Sequence, residues 1–172
     1  MAEPREVLIS MRAEVGYGFD AIKRALWRMQ SNIQITKVSA IYKVAHKHSS
    51  QTLPFFSFVV RAKTQLAAEV LSKFLMQIEA GSHVDGMSSP LKIKMLVYGF
   101  NVLATQTLCL PEPELHLRPD LLSAAVEVWP EYRHPVLGQL LSAMATAQDD
   151  SDFQIEYHSL GISLLDFSAT GV

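Results

Sequence analysis

"FFSFVVRAKTQLAAEVLSKFLMQIEAG", residues Phe55 to Gly81, changes period halfway along. In its first part Phe56, Phe58, Val60 and Ala62 fall on one side, and Ser57, Arg61 and Lys63 on the other. Alternation with a period of two marks a strand with one buried face. From Val70 the apolar residues Leu71, Phe74, Leu75 and Ile78 follow at helical steps, and Gly81 closes the run. That spacing predicts a helix burying a single stripe. What flanks this strand and helix decides the fold.

Upstream, "VLISM" (Val7–Met11) has strand length. Phe19, Ile22, Leu26 and Met29 then take helical spacing, with Lys23, Arg24 and Arg28 opposite, and Asn32 closes the helix. "IQITKVSAIYKV" (Ile33–Val44) predicts a second strand, and polar "HKHSSQTLP" (His46–Pro54) a loop. Downstream, "LKIKMLVYG" predicts a fourth strand, with Leu91, Ile93 and Met95 on one face and Lys92 and Lys94 on the other. Two short helices follow, separated by the proline-marked turn "WPEYRHP". This order predicts an α+β, ferredoxin-like domain: an antiparallel sheet with helices packed on one face. The domain is expected over residues 1–148. Residues 149–172 form a C-terminal extension, where Phe153, Ile155 and Tyr157 alternate as an added strand would.

The 172 residues suffice for one core, and 49% hydrophobic with 19% charged residues is a globular composition. A net charge of −2 gives no overall footprint for nucleic acid or an anionic membrane. The single cysteine, Cys109, excludes an internal disulfide and a cysteine-based zinc cluster. "MAEPREVLISM" lacks a signal core, and no apolar run reaches 18 residues. The expectation is a cytoplasmic protein with no membrane partner. His46 and His48 read as solvated loop residues, and His116 and His134 as structural hydrogen-bonding residues.

"LPFFSFVVRAKTQLAAEVLSKFLMQIE", then "PLKIKMLVYG", then "LCLPEPELHLRPDLLSAAVEVWPEYRHPVLG" resembles the 6-hydroxymethyl-7,8-dihydropterin pyrophosphokinase family of folate biosynthesis. "VSAIYKV" is similar to its second strand and "HPVLG" to its C-terminal signature, so the resemblance runs from about Val7 to about Ala145. It implies an ATP-binding transferase, a kinase that moves pyrophosphate from ATP to the hydroxymethyl group of a pterin. Two Mg²⁺ ions would be held by two aspartates spaced i, i+2 on the fourth strand.

Lys92 and Lys94 stand at those two positions. An ammonium has no lone pair and cannot ligate a metal. Other positions depart as well. The family's Gly-Ser-Asn turn falls on Arg12–Glu14, its pterin-binding asparagine on Ser57, its histidine on Glu112 and its pterin-stacking aromatic on Asp120. The tryptophan and arginine of its catalytic loop fall near Gly86 and Ser89. Glu79, Tyr98-Gly99, Leu110-Pro111, Arg118 and His134-Pro135 are retained, Arg118 matching an arginine of the active-site rim.

The expectation is therefore a pseudoenzyme with no catalytic residues, no metal and no cofactor. Its cleft would bear Lys92, Lys94, Ser57, Arg61, Glu112 and Arg118. Two aspartates with two Mg²⁺ leave a charge of +2, and two lysines carry the same, so a small anion, nucleotide or pterin could be held without metal. The alternative is an active pyrophosphokinase using ATP and Mg²⁺ through displaced ligands among Glu14, Asp85 and Glu112. Simple solvation of the two lysines is also open. Nucleic-acid binding through Phe55, Arg61, Lys63, Lys92 and Lys94 is disfavoured by the acidic balance. Residues 149–172 would either close the chain's own sheet or meet a protein partner or second copy as a homodimer.

Overall fold

The computed structural model describes residues 3–17, 19–82, 90–146 and 152–165. Strand β1 (Arg5–Glu14) runs through a 3₁₀ turn (Val15–Tyr17) toward helix α1 (Asp20–Met29). Strands β2 (Ile33–Val38), β3 (Ile41–His46) and β4 (Phe55–Thr64) follow, then helix α2 (Ala68–Ala80) and strand β5 (Leu91–Tyr98). A two-residue ribbon, β6 (Leu103–Ala104) and β7 (Cys109–Leu110), leads to helices α3 (Glu114–Leu117), α4 (Pro119–Val128) and α5 (Leu141–Thr146). Strand β8 (Phe153–Ser159) and a 3₁₀ segment (Gly161–Leu165) complete the described chain.

The main sheet is antiparallel in the order β5-β1-β4-β3-β8, with β2 pairing β4 beside β3. This is the ferredoxin-like arrangement with β8 added at the edge. The extension therefore supplies a strand to its own sheet, Phe153 opposite His46 and Tyr157 opposite Tyr42.

The period-2 pattern sorts residues as expected on one face. Val7, Ile9 and Met11 of β1 join Phe56, Phe58, Val60 and Ala62 of β4 and Leu91, Ile93 and Met95 of β5 in one core. Against them pack Ile22, Leu26 and Met29 of α1 and Leu71, Leu75 and Ile78 of α2. Each such buried side chain contributes on the order of 1.5–3 kcal/mol of transfer free energy. The expected single helical face is only half of the architecture. Leu8, Val59, Leu96 and Val97 point the other way, into a second core with Leu121, Leu122, Ala125 and Val128 of α4, Leu141 of α5, and Tyr132. Both sheet faces are covered.

The single strand expected over Ile33–Val44 is broken at Ser39–Ala40. The Ser39 hydroxyl accepts the N–H of Val59 at 2.9 Å and donates to the carbonyl of Ala40 at 2.8 Å, so a side chain takes over one rung of the ladder. The retained pair Tyr98-Gly99 has a structural reason. The Tyr98 hydroxyl donates to Leu66 O at 2.8 Å, while Gly99 turns at φ +53° and its carbonyl accepts the Tyr132 hydroxyl at 2.7 Å. Burial pushes the Tyr132 phenol up to about 12.

Candidate functional site

One row of residues crosses the sheet on the α4 face. Lys92 of β5 lies opposite Arg12 of β1, Arg12 opposite Ser57 of β4, Ser57 opposite Tyr42 of β3, and Tyr42 opposite Tyr157 of β8. Antiparallel pairing places such residues side by side on one face. Lys94 stands one row along, opposite Ser10.

The two lysines do not converge on a common point. Lys92, 63% exposed, sets its Nζ 3.2 Å from Oε1 of Glu79, at the end of α2. The other oxygen of Glu79 accepts the main-chain N–H of Ile93 at 2.9 Å, so this carboxylate covers the outer edge of β5 as well. Lys94, 46% exposed, lies 3.4 Å from Glu114 and 3.9 Å from Glu112. Ion pairs this exposed contribute about 0–1 kcal/mol each. They do neutralise the site: the charge of +2 expected for the two lysines meets three carboxylates.

Beside them lies a buried polar cluster. Arg118, the residue before α4, donates from Nε to Oδ1 of Asp120 at 3.1 Å and from Nη2 to Oδ2 at 2.7 Å. Ser57 donates its hydroxyl to the same Oδ2 at 2.8 Å, and both Ser57 and Asp120 are buried. Pro119 opens α4, and Asp120 in its first turn faces the positive end of the helix dipole. The Arg118 guanidinium lies 5.3 Å from the centroid of the Phe55 ring and 5.8 Å from that of Phe153, within cation–π range of both. Arg12 stacks on Phe55 at 4.1 Å. Partial burial, then the neighbouring Arg118 charge, hold the Arg12 pKa below the ordinary arginine value.

Of the residues expected in the cleft, Lys92, Lys94, Ser57, Glu112 and Arg118 are neighbours across β5, β4 and the chain entering α3 and α4. Arg61 is not brought to them. Four residues farther along β4, it holds Glu6 with two bonds of 2.9 and 3.0 Å, donates to Val128 O at 3.2 Å and stacks on Trp129 at 4.3 Å. It ties α4 to the sheet. Of the proposed displaced metal ligands, Asp85 lies outside the described residues, as do Gly86 and Ser89. Among the described residues, no three His, Cys, Asp or Glu side chains form a group able to hold a metal ion.

Arg12, Glu114 and Phe153 join the site beyond the residues that the sequence points to. Arg12 was legible from alternation on β1, because it shares the parity of Ser10. Phe153 was not, since its place depends on the docking of β8. His46, expected as a solvated loop residue, ends β3 and packs its ring against Phe153, tilted at 45° with centroids 4.6 Å apart. His134 fits its structural role: its Nδ1 accepts the N–H groups of Val136 and Leu137 at 3.3 and 3.1 Å.

The family model for 7,8-dihydro-6-hydroxymethylpterin-pyrophosphokinase (HPPK) matches residues 8–130. The chain belongs to the HPPK family. It is 26% identical over 137 residues to 2-amino-4-hydroxy-6-hydroxymethyldihydropteridine pyrophosphokinase of Aquifex aeolicus, covering 76% of this chain and 84% of that protein. It is 27% identical over 129 residues to the folate synthesis bifunctional protein of Arabidopsis thaliana, covering 72% of this chain and only 27% of that protein. Among solved structures, an HPPK-DHPS complex with substrates superposes with a TM-score of 0.69 at 10% identity, over 84% of this chain and 43% of the other. Wild-type Plasmodium falciparum HPPK-DHPS with pterin and p-hydroxybenzoate gives 0.66 at 10% identity, over 84% and 42%. At such identities these structures speak for the fold, and this HPPK-family chain spans under half their length.

The magnesium pair that the family resemblance implies does not fit these residues. The two positions that would donate oxygen carry ammonium groups, and among the described residues the carboxylates beside them, Glu79, Glu112 and Glu114, are turned toward those ammoniums. No helix among the described residues is long and apolar enough to cross a membrane.

Proposed function

We propose that this HPPK-family chain does not perform metal-assisted pyrophosphoryl transfer and instead uses the inherited cleft to bind a ligand. The observation that carries this reading is the pairing of Lys92 with Glu79 and of Lys94 with Glu112 and Glu114. In-line transfer from a triphosphate needs charge neutralisation and alignment of attacking and leaving oxygens, which bridging metal ions supply. Lysines attract phosphate as point charges but do not bridge two oxygens in fixed geometry.

The ligand in this reading is a small anion, or the phosphate or carboxylate of a larger molecule. Glu114 is the group it would displace. This half-exposed carboxylate sits 3.4 Å from Lys94 and 3.7 Å from Arg118, so an incoming anion would find two cations already held together. The space beside Phe55 and Phe153 is taken by Arg118 itself, within cation–π range of both rings and bonded to Asp120. A pterin would have to displace that guanidinium.

The test has two arms. ATP, hydroxymethyl-dihydropterin and Mg²⁺ are incubated with the protein and AMP is followed; the expected outcome is no formation above background. Turnover at a usual kinase rate of roughly 1–100 s⁻¹ would overturn the reading. Pyrophosphate, ATP and hydroxymethyl-dihydropterin are then titrated calorimetrically in EDTA. Binding of an anion that is lost in Lys94→Ala supports the ligand role, and absence of binding by all three defeats it.

A further inference from the structure

The two edges of the main sheet are treated differently. At β5 the outer edge is blocked: Glu79 takes the N–H of Ile93 at 2.9 Å, and the N–H of Glu112 bonds Leu96 O at 2.8 Å. Lys92 and Lys94 add charge along the same strand. Side-chain caps and edge lysines are the usual means of preventing strand addition. At β8 the stretch "FQIEY", Phe153–Tyr157, contains no lysine and no proline. Among the described residues no other strand pairs β8 beyond β3. Tyr157 is 61% exposed, and Leu160 and Ile162 just beyond it are exposed as well.

The phase of the ladder tells which groups face outward. Lys47 donates its N–H to Asp152 O at 2.8 Å, so Asp152 is a residue whose main chain points toward β3. Antiparallel strands alternate, so Gln154 and Glu156, opposite Ala45 and Lys43, also point inward. The main chain of Ile155 and of Tyr157 therefore points away from the sheet.

We infer that β8 is a self-association edge, on which a second copy of this chain adds its own β8 antiparallel, about a two-fold axis at Ile155. Two features select this occupant and this register. A strand centred on Ile155 meets its own copy with Ile155 opposite Ile155 and Tyr157 beside Phe153, an aliphatic pair flanked by aromatic pairs. On the other face Glu156 meets Gln154, so no like charges oppose. Sliding to a centre at Glu156 sets two carboxylates against each other, and a centre at Tyr157 runs into the ladder irregularity between Tyr42 and Ile41. The axis is perpendicular to the sheet, so both copies keep their Arg118 sites on the same side. Each then receives the Tyr157 ring of the second copy next to Phe153, which already lies within cation–π range of Arg118. This inference does not depend on whether the cleft binds a ligand.

Sedimentation equilibrium on the full chain tests it, with a mass twice 19.2 kDa expected. Ile155→Pro removes one outward N–H without touching the bonds to β3 and is expected to give a folded monomer by circular dichroism. A cysteine at the axis tests the register. In a Cys109→Ser background, Ile155→Cys is expected to form a disulfide dimer on mild oxidation, because paired Cα atoms lie about 5.5 Å apart. Gln154→Cys, which faces Glu156 instead of itself, is expected not to. A wild-type chain that stays monomeric at every concentration overturns the inference. So does a dimer that Ile155→Pro leaves intact, or cross-linking at 154 as readily as at 155.

Discussion

Arg118 donates twice to the carboxylate of Asp120, a side chain with no solvent exposure. Asp120 stands where the family resemblance places a pterin-stacking aromatic, so a buried charge held by its partner replaces an apolar ring at that position. Removing one member of a buried pair strands the other. Arg118→Ala is expected to destabilise the fold by about 3–5 kcal/mol, and Asp120→Ala by a similar amount. Together they should cost clearly less than the sum, since neither then leaves an unpaired charge. Urea titrations of the four proteins measure this, and simple additivity would mean that the pair is not coupled.

The lysine positions give a second prediction, one of gain. Lys92→Asp with Lys94→Asp places two new carboxylates near Glu79, Glu112 and Glu114. Without metal the double variant should be less stable than wild type through like-charge repulsion. With millimolar Mg²⁺ it should recover, because binding to the folded state alone stabilises by about 2.7 kcal/mol at a hundredfold excess over Kd. Thermal melts with and without Mg²⁺ check this. Wild type should show no such shift.

The sheet was legible because alternation and helical spacing are local. Phe56, Phe58, Val60 and Ala62 read as one face and are one face. The second core was less legible, since Leu8, Val59 and the Leu96-Val97 step interrupt simple alternation and find partners in α4. The break in β2–β3 depends on one hydroxyl reaching across to Val59. The family resemblance sets Lys92 and Lys94 where metal-binding aspartates are expected. That each has its own carboxylate was not legible, because Glu79 lies 13 residues away and meets Lys92 only once α2 packs beside β5. Arg61 failed to join the cleft for a related reason: shared parity on a strand fixes the face, not the distance along it.

His134 supplies a pH dependence. Its Nδ1 accepts two N–H groups, a role open only to the uncharged ring. Burial first, and then the neighbouring His116, lower its pKa below the ordinary 6.5. The unfolded chain therefore binds the proton more readily than the folded one. This group's contribution is complete above about pH 6.5 and is lost as the pH falls through the lowered folded value. His134→Asn keeps an acceptor close to the Nδ1 position and cannot titrate in this range. Its Tm should be lower than wild type near neutrality but should fall less steeply toward pH 5. Parallel slopes for the two proteins would remove His134 from the account.

Gly161 decides whether the 3₁₀ segment after β8 can dock. A Cβ built on it would stand 1.9 Å from Ser39 O and 2.7 Å from Cγ1 of Val38. The carbonyl belongs to the chain break between β2 and β3, whose neighbouring hydroxyl bond to Val59 leaves it little freedom to retreat. Gly161→Ala must then displace either that turn or the segment carrying Leu164, which is buried in the α1-side core. Strain of this kind typically costs about 1–3 kcal/mol. Moving the turn would strain the β2–β4 ladder and lower the global Tm. Moving the segment would free Leu164 and expose the end of β8, so the Tm falls by the loss of one buried side chain while limited proteolysis after Ser159 accelerates. The second outcome is expected, because the Ser39 hydroxyl bond to Val59 fixes the turn, whereas the docked segment is one short 3₁₀ stretch. Melting and proteolysis of Gly161→Ala side by side distinguish the two, and a variant matching wild type in both would show that the close approach can relax at no cost.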